Sequence, residues 1–327
     1  MARARRARPT PRATATETAE NLPPLALGPL GMTGYLAPEG FEAPLAGELG
    51  EVAFRLGRLL FAAGPPRAAA WAANVWCRPV VLAAPSIGQA AKALRAIQRN
   101  WWPYAPHHHR RAALIQDALP KVSAKKLVFP APAPTAPLGA WTLADAMTII
   151  ASADTASPFP NGEPAFVEDK DGPPNRAYLK LWEALTVLGR HPLPGERCVD
   201  LGASPGGWTW VAAKLGARVL AVDKAPLAPA TAAMAGVEMR RESAFALDPA
   251  AVGPVDWLLS DVVCYPERLL GLIERWRAAG AARNIVATVK FQGATDFAAQ
   301  ARFAALPGGR LVHLHHNKHE LTWLWPA

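Results

Sequence analysis

The chain is short of cysteine and has no long apolar run, and each shortage narrows what it can be. Its three cysteines, Cys77, Cys198 and Cys264, stand far apart without metal-ligand spacing. That pattern argues against a disulfide scaffold or a metal centre and predicts free thiols in a reducing compartment, hence a cytoplasmic protein. No apolar stretch is long and clean enough to span a bilayer, and the N-terminus has no hydrophobic core of a secretory signal. No internal repeat stands out. The first sixteen residues contain no acid, so a transit peptide is conceivable, but a basic disordered tail fits the Arg-, Thr- and Pro-rich composition better.

What is present is a large apolar fraction, 51% of 327 residues, enough for one large or two modest domains. The net charge of +9 is unevenly distributed. Residues 1–30 carry five Arg and two Glu; residues 31–150 carry twelve basic and six acidic side chains; residues 151–327 carry eighteen of each. All the excess positive charge therefore lies ahead of a neutral C-terminal half. A basic module beside a neutral one suits a polyanionic partner, although general Arg bias would give the same count.

The organisation expected is a tail over 1–30, an accessory α+β domain over 31–127, a Pro-rich connector over 128–138 and a larger α/β domain over 139–327. Residues 33–41 read as strand and turn. Residues 42–63 follow helical spacing through Leu45, Leu49, Val52, Leu56 and Leu60, and predict one helix. A second helix is expected from Ile87 to Trp102, carrying Lys92, Arg95 and Arg99 and running into Trp101-Trp102-Pro103-Tyr104. Basic residues interleaved with aromatics could grip phosphates and stack bases; they could equally be core tryptophans and a solvated helix face. His107-His108-His109 reads as a polar loop rather than a metal site. Phe129 to Pro137 alternates proline and cannot be regular helix or central strand.

The most informative stretch is Cys198-Val199-Asp200-Leu201-Gly202-Ala203-Ser204-Pro205-Gly206-Gly207-Trp208, followed by Arg218-Val219-Leu220-Ala221-Val222-Asp223. It reads as strand, glycine turn, helix, then a second strand ending in an acid. Gly202 allows a sharp turn, and Gly206 and Gly207 would leave the main chain open to a ligand at a helix N-terminus. Asp223 is placed to accept hydrogen bonds from a ribose diol. A ligand with a nucleoside half is expected. The glycine spacing differs from G-x-G-x-x-G, so a dinucleotide fits poorly.

The turn D-L-G-A-S-P-G-G-W resembles the first motif of the FtsJ/RrmJ-like RNA ribose 2'-O-methyltransferases. That resemblance implies a Rossmann-like sheet and S-adenosylmethionine (SAM) as cofactor. It implies cofactor contacts by Asp200, Gly202, Ser204, Pro205, Gly206, Gly207, Trp208, Asp223 and Asp261, with Glu242 standing one position early for the adenine contact. Three further segments extend it. Val255 to Asp261 reads as a buried strand ending in an acid, Asn284 to Lys290 as one ending in lysine, and Leu311–His316 with Glu320–Trp325 as a closing hairpin. Lys180 lies on an amphipathic helix, Tyr178 to Leu185, ahead of the first strand. Lys180, Asp261, Lys290 and Glu320 are similar, in order and element context, to the family's Lys-Asp-Lys-Glu tetrad. The resemblance, carried also by Ser157-Pro158-Phe159, is nearest to the branch of the family that modifies a cytidine in large-subunit rRNA, and it covers residues from about 157 onward well. Ahead of that it is thin, so the N-terminal region would be a truncated or divergent THUMP-like RNA-binding module.

The resemblance implies methyl transfer to a ribose 2'-hydroxyl, with Lys290 orienting and deprotonating it. Asp261 would fix Lys290, and Lys180 and Glu320 would complete the network. RNA, engaged through the basic N-terminal half by a monomer, is the expected partner. A small-molecule O-methyltransferase and a non-catalytic RNA-binding or ribosome-assembly protein on the same fold are the competing readings.

Overall fold

The computed structural model describes residues 22–326. The tail expected over residues 1–30 therefore lies largely outside the described residues. Its last part does not behave as a tail: β1 (Gly28–Pro29) pairs with a later strand, and Leu22, Leu25 and Leu30 pack against buried core.

The N-terminal region is built from two sheets. β2 (Met32–Leu36) is followed by α1 (Glu42–Leu49), β3 (Phe54–Leu56), β4 (Leu59–Ala63) and β5 (Asn74–Trp76). The single helix expected over 42–63 is thus a short helix and a hairpin. Gly50 and Gly57 both take positive φ, 78° and 55°, which ends the helix and then turns β3 back onto β4. Strands β3-β4-β2-β5 form one sheet. Next come β6 (Val80–Ala83), α2 (Ile87–Ile97), β7 (Trp101–Pro103), α3 (His109–Asp117), β8 (Gly139–Leu143) and β9 (Thr148–Ser152). The second helix is shorter than expected, because Trp101 and Trp102 leave it to pair as β7 with β8. Strands β1-β6-β9-β8-β7 form the second sheet. Residues 139–152 consequently belong to the N-terminal region, and the boundary expected at 139 is displaced: β9 pairs with β6 across more than sixty residues of chain, a long-range match that local pattern does not encode.

The two N-terminal sheets pack face to face, with Leu36, Phe54, Phe61 and Trp76 meeting Ala140 and Ile150. Helices α2 and α3 cover the outer face of the second sheet through Ala90, Leu94, Ala112 and Ile115.

The C-terminal region starts with α4 (Ala177–Leu188), β10 (Arg197–Leu201), α5 (Gly207–Lys214) and β11 (Arg218–Val222). It continues through α6 (Pro229–Ala232), β12 (Val237–Arg240), α7 (Pro249–Val252), β13 (Val255–Ser260) and α8 (Pro266–Ala278). It closes with β14 (Ala282–Lys290), α9 (Phe297–Ala304), β15 (Arg310–Val312) and β16 (Glu320–Trp325). The strand order is β12-β11-β10-β13-β14-β16-β15, parallel from β12 to β14 with β16 antiparallel. This is the doubly wound Rossmann-like sheet that was expected. The order reverses between β10 and β13, and a crevice opens at the carboxyl ends of strands at such a reversal.

Helices α4 and α5 cover one face of this sheet with Leu179, Trp182 and Trp208. The helix α4 is not amphipathic: residues Tyr178 to Thr186 are all buried, because Phe129 and Phe166 lie over Trp182. The Pro-rich segment is therefore partly docked rather than a free connector. Helices α8 and α9 cover the other face, in one continuous core with Tyr35, Leu45 and Trp71 of the N-terminal region.

Candidate active site

Strand ends bring the four expected charges together. Asp261 follows β13, Lys290 ends β14, Glu320 starts β16, and Lys290 and Glu320 are cross-strand partners. Because side chains alternate along a strand, Lys290 and Glu320 project from the face that also carries Val286 and Leu324, which α4 covers. There Lys180 meets them. Lys180 Nζ lies 3.0 Å from Asp261 Oδ1 and 2.7 Å from Glu320 Oε1, and Lys290 Nζ lies 2.9 Å from the same Asp261 oxygen. Asp261 Oδ1 thus bridges two ammonium groups.

The cluster is nearly enclosed. Side-chain exposure is 10% for Lys180, 9% for Glu320, 18% for Asp261 and 19% for Lys290. Burial opposes charge on Lys180, but the Asp261 and Glu320 carboxylates outweigh it and hold the ammonium above its ordinary pKa. Burial likewise pushes Asp261 up, and Lys180 and Lys290 together hold it below the usual carboxylate range. Lys180 is fully engaged by two acids. Lys290 has one carboxylate and projects from a strand end, which leaves it the cation available to a second partner.

The glycine turn stands beside this cluster at the end of β10, and its glycines act differently from the expectation. A Cβ on Gly202, whose φ is +79°, would come within 2.6 Å of Val262 Cα; one on Gly206 within 2.8 Å of Thr231; one on Gly207 within 2.2 Å of Asn175 Oδ1. Each absent side chain is filled by protein. The glycines let the turn pack tightly against the loops after β13 and β11 and the lead-in to α4, rather than clearing space for a ligand. Asp223 braces the turn, accepting from Ser204 N–H at 3.0 Å and from Ala225 N–H at 2.9 Å. Ser204 Oγ donates to Pro226 C=O, and the Ser204–Pro205 peptide is cis. Trp208 is core: its indole donates to Ala177 C=O at 2.9 Å and ties α5 to α4. Glu242 sits half-buried on the loop after β12.

Asp200 is deeper. Its Oδ2 accepts from Thr209 Oγ1 at 2.7 Å, while Oδ1 is buried with no hydrogen-bond partner among the described residues. Burial pushes its pKa up to about 7. Three carboxylates, Asp200, Asp223 and Asp261, therefore belong to adjacent strands β10, β11 and β13 at one crevice. An unsatisfied buried acceptor with acids at two neighbouring strand ends suits a ligand that is cationic at one end and carries a ribose diol at the other. SAM meets both requirements, so the residues present fit it.

Several supporting residues carried no signal by themselves. Glu183, one helical turn from Lys180, accepts from the backbone N–H groups of His315 and His316 at 2.6 and 3.0 Å and contacts His316 Nδ1 at 2.7 Å. Asn317 donates to Glu320 C=O and Thr322 Oγ1. Together they fix the turn that delivers Glu320. The i, i+3 spacing of Lys180 and Glu183 was readable; their common target was not. After Asp261, Cys264 is buried while Val263 and Tyr265 are 74% and 65% exposed, so the loop presents apolar surface beside the crevice.

The fold agrees with comparisons to known proteins. Residues 173–271 match the FtsJ-like methyltransferase family. A ribosomal RNA large subunit methyltransferase M from Halorhodospira halophila is 38% identical over 172 residues, covering 50% of this chain and 50% of the relative. The protein of the same name from Aromatoleum aromaticum is 36% identical over 45% of this chain and 44% of its own length. That from Alkalilimnicola ehrlichii is 32% identical over 70% of this chain and 64% of its own length. The chain thus spans about half the length of most of the curated relatives it matches. With its doubly wound sheet, glycine turn and strand-end acids, the chain carries an FtsJ-like methyltransferase domain.

Proposed function

We propose that this protein transfers the methyl group of SAM to a ribose 2'-hydroxyl of RNA, with large-subunit rRNA as the substrate its relatives' names favour and a cytidine as the acceptor that the family resemblance implies. The observation that carries the reading is the Lys180–Asp261–Lys290–Glu320 network at the carboxyl ends of β13 and β14, beside the cofactor crevice. Bound SAM supplies an electrophilic methyl carbon on a sulfonium.

The chain's own groups do the rest. Asp200, Asp223 and the backbone from Gly202 to Ser204 hold the cofactor across β10 and β11, with Glu242 and Asp261 at its flanks. Lys290 first releases its ammonium proton to solvent. Its neutral Nζ then contacts the acceptor hydroxyl, orients the oxygen, and takes the hydroxyl proton as the carbon–oxygen bond forms and the methyl–sulfur bond breaks, leaving the cofactor as its neutral thioether. Asp261 Oδ1 sets the position of Lys290 Nζ and disperses the charge gained there. Lys180, clamped between Asp261 and Glu320, helps keep Asp261 ionised inside a nearly closed site. The basic excess over residues 31–150 attracts the polyanion to the protein. One chain supplies every group named.

Methyl transfer from labelled SAM to rRNA lacking the modification tests this. Lys290→Ala should lower turnover by about 10²- to 10⁴-fold, the usual worth of a positioned acid–base group, with SAM affinity unchanged. Label should map to a single 2'-O-methylated nucleotide. Wild-type rates in the variant would remove Lys290 from catalysis. Absence of transfer to RNA by the wild-type protein would overturn the function.

A further inference from the structure

The Trp-Trp pair with its flanking basic residues has no part in the methyl-transfer site, and the structure splits it. Trp101 is fully buried, its indole donating to Leu94 and Gln98 carbonyls beneath α2. Trp102, next along β7, is half-buried on the other side and lines a cavity of about 380 Å³. The walls come from the Pro-rich segment, through Pro134 and Pro137, and from the turn at Phe159–Asn161. A smaller cavity of about 230 Å³ shares Pro134, Pro137 and Pro158 and prolongs it along the chain.

The chemistry of this slot is specific. Trp102 and the proline rings make flat apolar walls. Asn100 and Asn161 line it; Asn100 Nδ2 donates to Pro137 C=O at 3.2 Å, and Asn161 Oδ1 has no hydrogen-bond partner among the described residues. Lys125 stands at the slot, and Lys121 and Lys126 are exposed on the same segment. No acid occurs between residues 118 and 144. The acid on the wall, Glu163, is paired with Arg58 at 3.2 Å. A planar ring against tryptophan, edge groups against amides and an anion against lysine describe one nucleotide of a single strand. The volume is within the range of ligand sites.

We infer that the slot between Trp102, the Pro-rich segment and the Phe159–Asn161 turn holds an unpaired nucleotide of the RNA substrate. Its base stacks on Trp102 and its phosphate lies on Lys125. The inference rests on the proposed RNA substrate. It makes the docked Pro-rich segment a wall of a binding site, and it anchors the RNA on the module that carries the positive charge.

The test is binding of a labelled single-stranded RNA 12-mer containing 5-bromouridine to the full-length protein, read by fluorescence anisotropy across salt, then ultraviolet cross-linking and peptide mapping. Trp102→Ala should weaken binding by about 5- to 150-fold, the range for loss of one stacked base, and Trp102→Phe should restore most of it. Lys125→Gln should weaken binding and reduce the slope of log affinity against log salt by about 0.7. Cross-links should fall on the peptide containing Trp102. Should Trp102→Ala fail to fold, the other two variants and the cross-link decide. RNA binding by the wild type that is untouched by these substitutions, with cross-links elsewhere, would overturn the slot and leave the RNA reading standing. No RNA binding by the wild type at all would overturn both.

Discussion

Asp200 carries an electrostatic cost that the rest of the crevice explains. It is a carboxyl group at the centre of the sheet with one hydroxyl donor and one empty lone-pair site. Desolvation raises its pKa to about 7, with the charges of Asp261 and Asp223 adding to it and the Thr209 hydroxyl opposing. A group whose pKa is higher in the folded than in the unfolded chain binds its proton more tightly when folded. Its contribution is complete below about pH 4, the unfolded value, and is lost as pH rises through about 7. Urea unfolding of the cofactor-free protein at half-unit steps from pH 4.5 to 7.5 should therefore show stability falling with pH by up to about 1.4 kcal/mol per unit from this group. Asp200→Asn should flatten that slope. Parallel curves for the two proteins would mean that Asp200 does not titrate in this window.

At the scale of elements, the glycine turn is held by three packing contacts of different stiffness. The Cβ of Gly202→Ala would strike Val262 backbone at a positive φ, so nothing can yield. Gly207 has no positive φ, and its neighbour is the end of a side chain, Asn175 Oδ1, which also accepts from Ala177 N–H at the start of α4. Gly207→Ala should cost about 1–3 kcal/mol by overpacking, Asn175→Ala about 1 kcal/mol through the lost hydrogen bond from Ala177 N–H, and the double variant less than their sum. Additive denaturation free energies would show that the two residues do not press on each other. This contact also marks the limit of what sequence could give. The motif D-L-G-A-S-P-G-G-W and the order Lys180, Asp261, Lys290, Glu320 were legible, because Asp261, Lys290 and Glu320 stand at the ends of plain strands and Lys180 on the helix just ahead of the first. The reason for the glycines was not, because the atoms that fill their places come from residues 175, 231 and 262. The same holds for the hairpin at Phe54–Ala63, where Leu56 and Leu60 keep a spacing of four that helix and hairpin share. Strands β8 and β9 were placed in the wrong domain for a related reason, since β9 pairs with β6, ahead of α2, and β8 with β7, ahead of α3.

For the whole molecule, the decisive contact is the one that fuses its two halves. Trp71 lies fully buried in the core between the N-terminal region and the α8–α9 face of the catalytic sheet. Its indole donates to Gln300 Oε1 at 2.9 Å; Gln300 Nε2 donates to Glu48 Oε1 at 2.6 Å; and Glu48 accepts from the backbone of Ala70 and Trp71. Burial raises the pKa of Glu48, and its three hydrogen bonds, from Trp71, Ala70 and Gln300, and the nearby Arg67 oppose the rise. The loop before α1 joins in, with Phe41 against both Trp71 and His313. A chain with one continuous core across its modules should unfold in one step, so far- and near-ultraviolet circular dichroism should give coincident urea transitions. Trp71→Ala should cost about 3–5 kcal/mol and lower both signals together. Saturating SAM, held on the proposed reading by the C-terminal region alone, should shift the single transition of the entire chain by mass action. If Trp71→Ala instead moved one of two separable transitions, the N-terminal region would be an independently stable domain. The proposed RNA slot at Trp102 would then be joined to Lys290 by a hinge, and a single rigid surface would no longer align an anchored strand with the lysine proposed as the base.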